Sequence, residues 1–206
     1  MVEVSENEEL ERVIPIIERI KNNFEINISI DSKKHRVIDE AIKCGAEIVN
    51  DISMIEDENI LKVLNNHDVF YVLGHYRKNE AHQNLIPEVL IDISKKIDLL
   101  ISSGFDRSKI ILDPGIGFGK NLNHNVALLN RLSLFHSLRV PIAIGVSRKS
   151  FIASLNEDEP PDQRLAGSLA MAIWACQQGV QILRVHDVAE TKQALKIYKA
   201  VVDDDL

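Results

Sequence analysis

The chain has 206 residues, 45% hydrophobic and 27% charged, which suits one soluble globular domain over residues 1–206. A net charge of −7 argues against a general nucleic-acid binder, and no apolar run reaches the ~20 residues of a membrane span. The acidic, polar start does not read as a secretory signal, so the expected location is cytoplasmic.

The predicted elements alternate in type along the chain. Ser5 opens a capping-like run, and Leu10, Val13, Ile14, Ile17 and Ile20 form one helical stripe, with Pro15 expected to kink it. Strand 27–30 and a helix over 33–44, stopped by Gly45, come next. Then follow strand 47–49, helix 57–66, strand 69–73, helix 87–103, strand 110–112 and helix 125–134. Strand 141–146, a short helix from Lys149, helix 163–178, strand 181–183 and helix 189–202 complete the pattern, with a frayed acidic tail at 203–205. Six short apolar strands, each followed by a helix, imply parallel strands with helical crossovers. An open doubly wound sheet and a (β/α) barrel both fit this alternation. Cys44 and Cys176 show neither metal nor disulfide spacing and read as buried reduced thiols. His35, His67, His82, His124 and His136 read as surface or capping residues, and Trp174 as core.

Every predicted strand runs into polar residues: Asp31, Asn50-Asp51, His75, Asp113, Ser147-Arg148-Lys149 and Arg184 with His186-Asp187. In parallel α/β folds ligands bind beyond the carboxyl ends of the strands. A single aspartate there is as often the N-cap of the next helix, but six polar strand ends read as a site. Asp31, Asn50 and Asp113 suit a flat heterocycle with N–H donors. Lys149, Arg184 and His186 suit a phosphate or pyrophosphate, and Arg148 either joins them or makes a surface salt bridge. The run Gly115-Ile116-Gly117-Phe118-Gly119-Lys120 lacks P-loop spacing. Its glycines are expected to shape a loop that brings Phe118 and backbone groups to a ligand.

Five of these segments resemble the dihydropteroate synthase family. Ile28-Ser29-Ile30-Asp31-Ser32 is similar to its "SVDT/S" strand end, and Ile48-Val49-Asn50-Asp51-Ile52 to "INDI". Asp113 to Lys120 matches "DPGxGFGK", Ser147 to Ser150 "SRKS", and Arg184 to Val188 "RVHDV". The resemblance implies α/β architecture, a TIM (β/α)8 barrel of the pterin-binding type. It implies condensation of 6-hydroxymethyl-7,8-dihydropterin pyrophosphate with p-aminobenzoate, releasing pyrophosphate. Asp31, Asn50, Asp113 and Lys149 would hold the pterin, Arg184 and His186 the pyrophosphate, and Phe118, Ser147 and Lys149 would border p-aminobenzoate. Ile52 and Gly145 join the substrate-binding set, with Lys149, Asp113, Arg184 and His186 as the catalytic residues. Mg²⁺ as cofactor and a homodimer through the C-terminal helices are further implications.

Two departures from the family pattern stand out. The "MHMxG" segment reads Leu73-Gly74-His75-Tyr76-Arg77 here, which implies a local change in the pocket wall. The "NVTPDSF" and "GGESTRPG" loops, which carry the family's Mg²⁺ ligand, have no counterpart. The expectation is therefore a barrel lacking its first two βα units, with no metal ligand in this chain and poor turnover by it alone. The alternative is a noncatalytic remnant with a partial pterin and pyrophosphate site.

Overall fold

A computed structural model describes residues 4–77 and 82–202. The chain forms two compact units, one of Met1–Tyr76 with Ile91–Leu112, the other of Arg77–Leu90 with Asp113–Leu206.

The first unit opens with α1 (Glu6–Asn23). Ser5 Oγ accepts the Glu8 N–H at 3.3 Å, and Glu6, Glu8 and Glu9 place negative charge at the positive end of the helix dipole. Pro15 does not end the helix, which continues through it with the proline on the exposed face. Next come β1 (Ser29–Asp31), α2 (His35–Lys43), β2 (Ile48–Asp51), α3 (Asn59–Asn66), β3 (Phe70–Gly74), the later turns of α4 (Leu85–Ser102) and β4 (Ile110–Asp113). These strands hydrogen-bond in the order β1-β2-β3-β4. The β1–β2 and β2–β3 pairs are parallel, with Asp31 opposite Asn50 and Asp51 opposite Leu73. Parallel pairing puts the polar ends of β1, β2 and β3 at one end of this sheet. Val49, Tyr71 and Leu73 are wholly buried, as are Val37, Ile38, Ile60, Ile93, Leu100 and Leu112, which makes the core of the unit. Glu9 ties α1 to the β1–α2 turn: its carboxylate accepts from Ser32 Oγ and Lys34 Nζ, both at 2.6 Å.

The second unit contains α5 (Leu122–Asn130), β5 (Ala143–Ile144), α6 (Ser150–Ser154), α7 (Leu165–Gln177), β6 (Ile182–Leu183) and α8 (Val188–Val202). β5 and β6 pair in parallel over only two residues each, Ala143 with Ile182 and Ile144 with Leu183. The expected six-residue strand 141–146 is thus much shorter, because residues 146–149 turn back on themselves, with Lys149 N–H reaching Val146 O at 3.4 Å. Helix α5 starts three residues before the expected 125, because Asn121 Oδ1 accepts the His124 N–H at 2.9 Å. It gives way to a 3₁₀ turn over Leu132–Leu138. Trp174 is half-buried and donates its indole N–H to Leu129 O at 2.9 Å.

Two expectations need correction. Cys44 and Cys176 are free thiols, but both are partly exposed. His82 is no surface residue: its side chain is 0% exposed, bonds Glu88 and packs edge-on against His124. His67 and His35 pair with Asp39 and Asp57. The expected tail 203–205 lies outside the described residues. No helix among the described residues is long and apolar enough to cross a membrane.

The loop after β2 depends on one carboxylate. Asp51 is fully buried; it accepts from Ser53 N–H at 2.7 Å, Ile55 N–H at 3.0 Å and Tyr71 Oη–H at 2.6 Å. These bonds hold Met54 and Ile55 in the left-handed region, at φ 60 and 59. Burial and the Asp51 charge together push the Tyr71 phenol well above its ordinary value. Replacing Tyr71 by Phe leaves that carboxylate short of a donor. Hydrogen bonds to charged groups contribute about 1.5–3 kcal/mol, so Tyr71→Phe is expected to destabilise the chain by ~2 kcal/mol in urea unfolding. A loss below ~0.5 kcal/mol would contradict this role for Asp51.

Candidate active site

The first unit supplies the ends of β1 and β2. Asp31 is exposed at the end of β1, and Asn50 lies opposite it, 4% exposed. Asn50 Nδ2 is buried with no hydrogen-bond partner. An orphaned buried donor costs about 1–3 kcal/mol, so it marks a place where a ligand acceptor belongs. Ile52 follows, half-buried. A Cβ added at Gly74 would stand 3.1 Å from Asp51 O and 3.3 Å from Ile52 Cγ2. A side chain at this position would press on the backbone that follows β2. His75 is retained, wholly buried, with Nε2 3.3 Å from Asp92 Oδ2.

In the second unit Asp113, at the end of β4, is 3% exposed. Its Oδ1 accepts the Gly115 N–H at 2.8 Å and its Oδ2 lies 3.6 Å from Arg184 Nη2. Burial raises its carboxyl above the ordinary range, against the lowering influence of the Gly115 N–H, Lys149, Arg184 and Lys120. Lys149 Nζ donates to Ile116 O and sits 4.3 Å over the Phe118 ring. Burial is the main cause that brings Lys149 down to about 8, with Asp113 opposing and Arg184 assisting. Gly117 adopts φ +81, and a Cβ there would meet Lys149 Cδ at 3.1 Å. The glycine loop therefore does present Phe118, with Lys149 laid across it.

The motifs also contain site residues that the sequence reading did not single out. Lys120 is 8% exposed and donates to Gly115 O and Phe118 O, both at 3.0 Å, so it closes the loop from within. Burial brings it too down to about 8. Asn125 Oδ1 holds the Gly117 N–H at 2.7 Å. Nothing in the motif spacing distinguishes Lys120 from a surface lysine; its burial is a tertiary fact.

The strand ends of β5 and β6 meet in the same unit. Ser147 Oγ is 3.3 Å from the His186 N–H and 3.1 Å from its Nδ1. Gly145 leaves room for Arg184, because a Cβ would come within 3.2 Å of its Nε and 3.3 Å of Nη2. Arg148 takes the salt-bridge alternative: its Nε donates to Asp187 Oδ2 at 3.0 Å and its Nη2 to Oδ1. Its backbone is left-handed, at φ 57, a conformation costing about 1–3 kcal/mol for a non-glycine residue. Asp113, Phe118, Ser147, Lys149, Arg184 and His186 are thus gathered in one unit with Gly145, while Asp31, Asn50 and Ile52 belong to the other. Among the described residues no three His, Cys, Asp or Glu side chains are placed to hold a metal ion. The positive charge around Asp113 comes from Lys149, Lys120 and Arg184.

A parallel α/β chain with a cationic cluster beyond its strand ends has the make-up of an α/β enzyme that binds an anionic ligand there, and the comparisons with known proteins place it among enzymes of the TIM-barrel type. A family model described as pterin binding enzyme matches residues 1–186. Dihydropteroate synthase of Escherichia coli (strain K12) is 41% identical over 207 residues, covering 97% of this chain and 73% of that protein. The structure of Yersinia pestis dihydropteroate synthase with a pterine-sulfa conjugate gives a TM-score of 0.93 at 38% identity, over 98% of this chain and 79% of that one. Xanthomonas albilineans dihydropteroate synthase with 4-aminobenzoic acid gives 0.94 at 37% identity, over 97% and 74%. The chain belongs to the dihydropteroate synthase family of pterin binding enzymes, and its fold and transferase class are those of that family.

The Gly145–Arg184 contact has a direct consequence. Gly145→Ala displaces the Arg184 guanidinium, which stands 3.6 Å from Asp113 Oδ2, by a few tenths of an ångström. We expect pyrophosphate binding to weaken about tenfold in calorimetry while the chain still folds cooperatively. Unchanged affinity would show that Arg184 does not depend on this glycine.

Proposed function

We propose that the chain joins 6-hydroxymethyl-7,8-dihydropterin pyrophosphate to p-aminobenzoate through the residues assembled above. The observation that carries this reading is the cationic cluster around buried Asp113, with Lys149 lying over Phe118. The amine nitrogen of p-aminobenzoate attacks the exocyclic methylene of the pterin. The C–O bond to pyrophosphate breaks, pyrophosphate leaves with the bonding pair, and the amine loses a proton to give 7,8-dihydropteroate.

Each group has a part in this step. Asp113 accepts from N–H groups of the pterin. This fixes the ring and favours positive charge developing at the methylene. Arg184 and His186 take the pyrophosphate, where donors in place before reaction stabilise the departing negative charge. Of the three N–H groups on Lys149 one is given to Ile116 O, which leaves others for substrate. Phe118 and Ser147 border the p-aminobenzoate ring. Ile52 borders the pterin side. The 4-aminobenzoic acid and pterine-sulfa ligands of the solved relatives support the same assignment.

The finer assignments of location and assembly are part of this proposal: a cytoplasmic enzyme working as a homodimer through its C-terminal helices. Helix α8 leaves Ile197 and Val201, one turn apart on the same side, exposed, apolar surface that such a pairing would cover. Sedimentation at micromolar concentration is expected to give twice the chain mass, and a monomer would refute the pairing.

The test of the site is calorimetry with the pterin pyrophosphate, followed by an assay of pyrophosphate release with p-aminobenzoate. Lys149→Ala and Asp113→Ala are expected to abolish pterin pyrophosphate binding; either variant binding as the unsubstituted chain does would refute the assignment. The pH profile adds a second check. Lys149 is a donor only while protonated, so kcat/KM falls as pH rises through about 8. Stability moves the other way: the unfolded chain binds the proton more tightly, so between about 8 and 10.5 stability rises with pH. A kcat/KM flat across that window would exclude Lys149 as the donor.

A further inference from the structure

We infer that the Arg148–Asp187 pair is a positioning device that sets the geometry of the pyrophosphate subsite while itself touching no substrate; the inference rests on the function proposed above. β5 and β6 share only two residue pairs. So short a ladder leaves the turns beyond it poorly fixed, yet those turns carry Ser147 and Lys149 on one side and Arg184 and His186 on the other. Side-chain bonds must do the fixing. Ser147 Oγ meets His186 at its N–H and Nδ1. One residue further along both turns, Arg148 meets both carboxylate oxygens of Asp187 through Nε and Nη2. Two adjacent staples thus set one turn against the other.

The backbone of Arg148 shows how much is committed to this arrangement. Its φ of 57 lies in the left-handed region, where a turn ordinarily employs glycine. Arginine at this position carries strain that glycine would avoid. The surrounding bonds compensate: the Arg148 N–H donates to Ser168 Oγ at 2.9 Å, and Arg164 Nη1 donates to the Arg148 carbonyl at 2.9 Å. Ser168 in turn donates to Arg164 O at 2.7 Å, so the start of α7 holds the turn from below. A side chain serving only as surface charge would not need a strained backbone anchored at both its N–H and its carbonyl. Since Lys149 follows Arg148 directly and Asp187 follows His186, releasing the pair moves both working residues.

The experiment compares positioning with plain charge, for which the two ideas differ in sign. Inorganic pyrophosphate is titrated into the full chain and into Arg148→Gly, Asp187→Asn, Asp187→Glu and the Arg148→Gly/Asp187→Asn double variant. Removing a negative charge near an anion site by electrostatics alone tightens binding. Positioning predicts instead that Asp187→Asn weakens it by about tenfold, that Arg148→Gly does the same, and that the double variant is no weaker than either single one. Asp187→Glu, which keeps the carboxylate, is expected to recover most of the affinity. Tighter or unchanged binding by Asp187→Asn overturns the inference, as do losses that multiply in the double variant. Where Arg148→Gly does not fold, the two Asp187 variants decide alone. An unsubstituted chain that binds no pyrophosphate would refute the proposed site, and with it this inference. Binding by that chain combined with an indifferent Asp187→Asn refutes the inference only.

Discussion

Burying an ionisable carboxylate is the constraint on which the second unit is built. Asp113 has almost no contact with solvent, and an isolated buried carboxylate would take up a proton. The Gly115 N–H, Arg184, Lys149 and Lys120 oppose that tendency together. The cations face the reciprocal problem. Lys149 and Lys120 are pulled down to about 8 by their own burial, and Asp113 is the group that pulls them back. The glycine loop serves the same balance, since Gly115, Ile116 and Phe118 turn their carbonyls to the two ammonium groups. Its positive-φ glycines are what allow so short a segment to offer three acceptors at once. The cluster is a network of mutual compensation, which explains why removing any one charge is expected to disturb the others.

Asp51 follows the opposite logic in the first unit. It is as deeply buried, but its partners are neutral: two backbone N–H groups and a phenol. Its oxygens are taken up by the loop after β2 and by Tyr71 of β3, so it serves as a structural anchor. Its neighbour Asn50 has the reverse condition, a buried amide with nothing to donate to. The pair shows how adjacent residues of one motif divide the work. Successive side chains of a strand point to opposite faces, so a dipeptide at a strand end can send one group toward a ligand and the other into the scaffold.

Much of this was legible in the sequence. Hydrophobic periodicity located each helix and strand in order, because buried short strands and amphipathic helices differ in period. The polar strand ends were legible as well, since parallel topology forces them to one end of each sheet. Boundaries were less so: β5 shrank from six expected residues to two because the turn at Val146–Lys149 is made by tertiary bonds to Ser168, Arg164 and Asp187, which no local pattern reveals. The exposure of Cys44 and Cys176 and the burial of His82 were missed for a similar reason. Apolar or polar neighbours in sequence do not determine which face of an element meets another.

The roles of individual motif residues were the least legible part, and the structure shows why. Arg148 and Lys149 are consecutive cations in one motif, and composition treats them alike. Yet Arg148 points to a carboxylate that neutralises it, while Lys149 is desolvated over an aromatic ring. The same division separates His186 from Asp187, and Asn50 from Asp51. Each contiguous motif therefore contains two kinds of residue: one that a ligand would meet, and a neighbour that fixes where it stands. A motif read as a string reports their joint presence, and only burial and hydrogen bonding distinguish them. Contiguity itself is the physical consequence of the fold. Where the chain turns sharply beyond a strand, as at Ser147–Lys149, the group that works and the group that holds it stand side by side in sequence, whereas the longer loop after β4 is held by Lys120 and Asn125 from further along the chain.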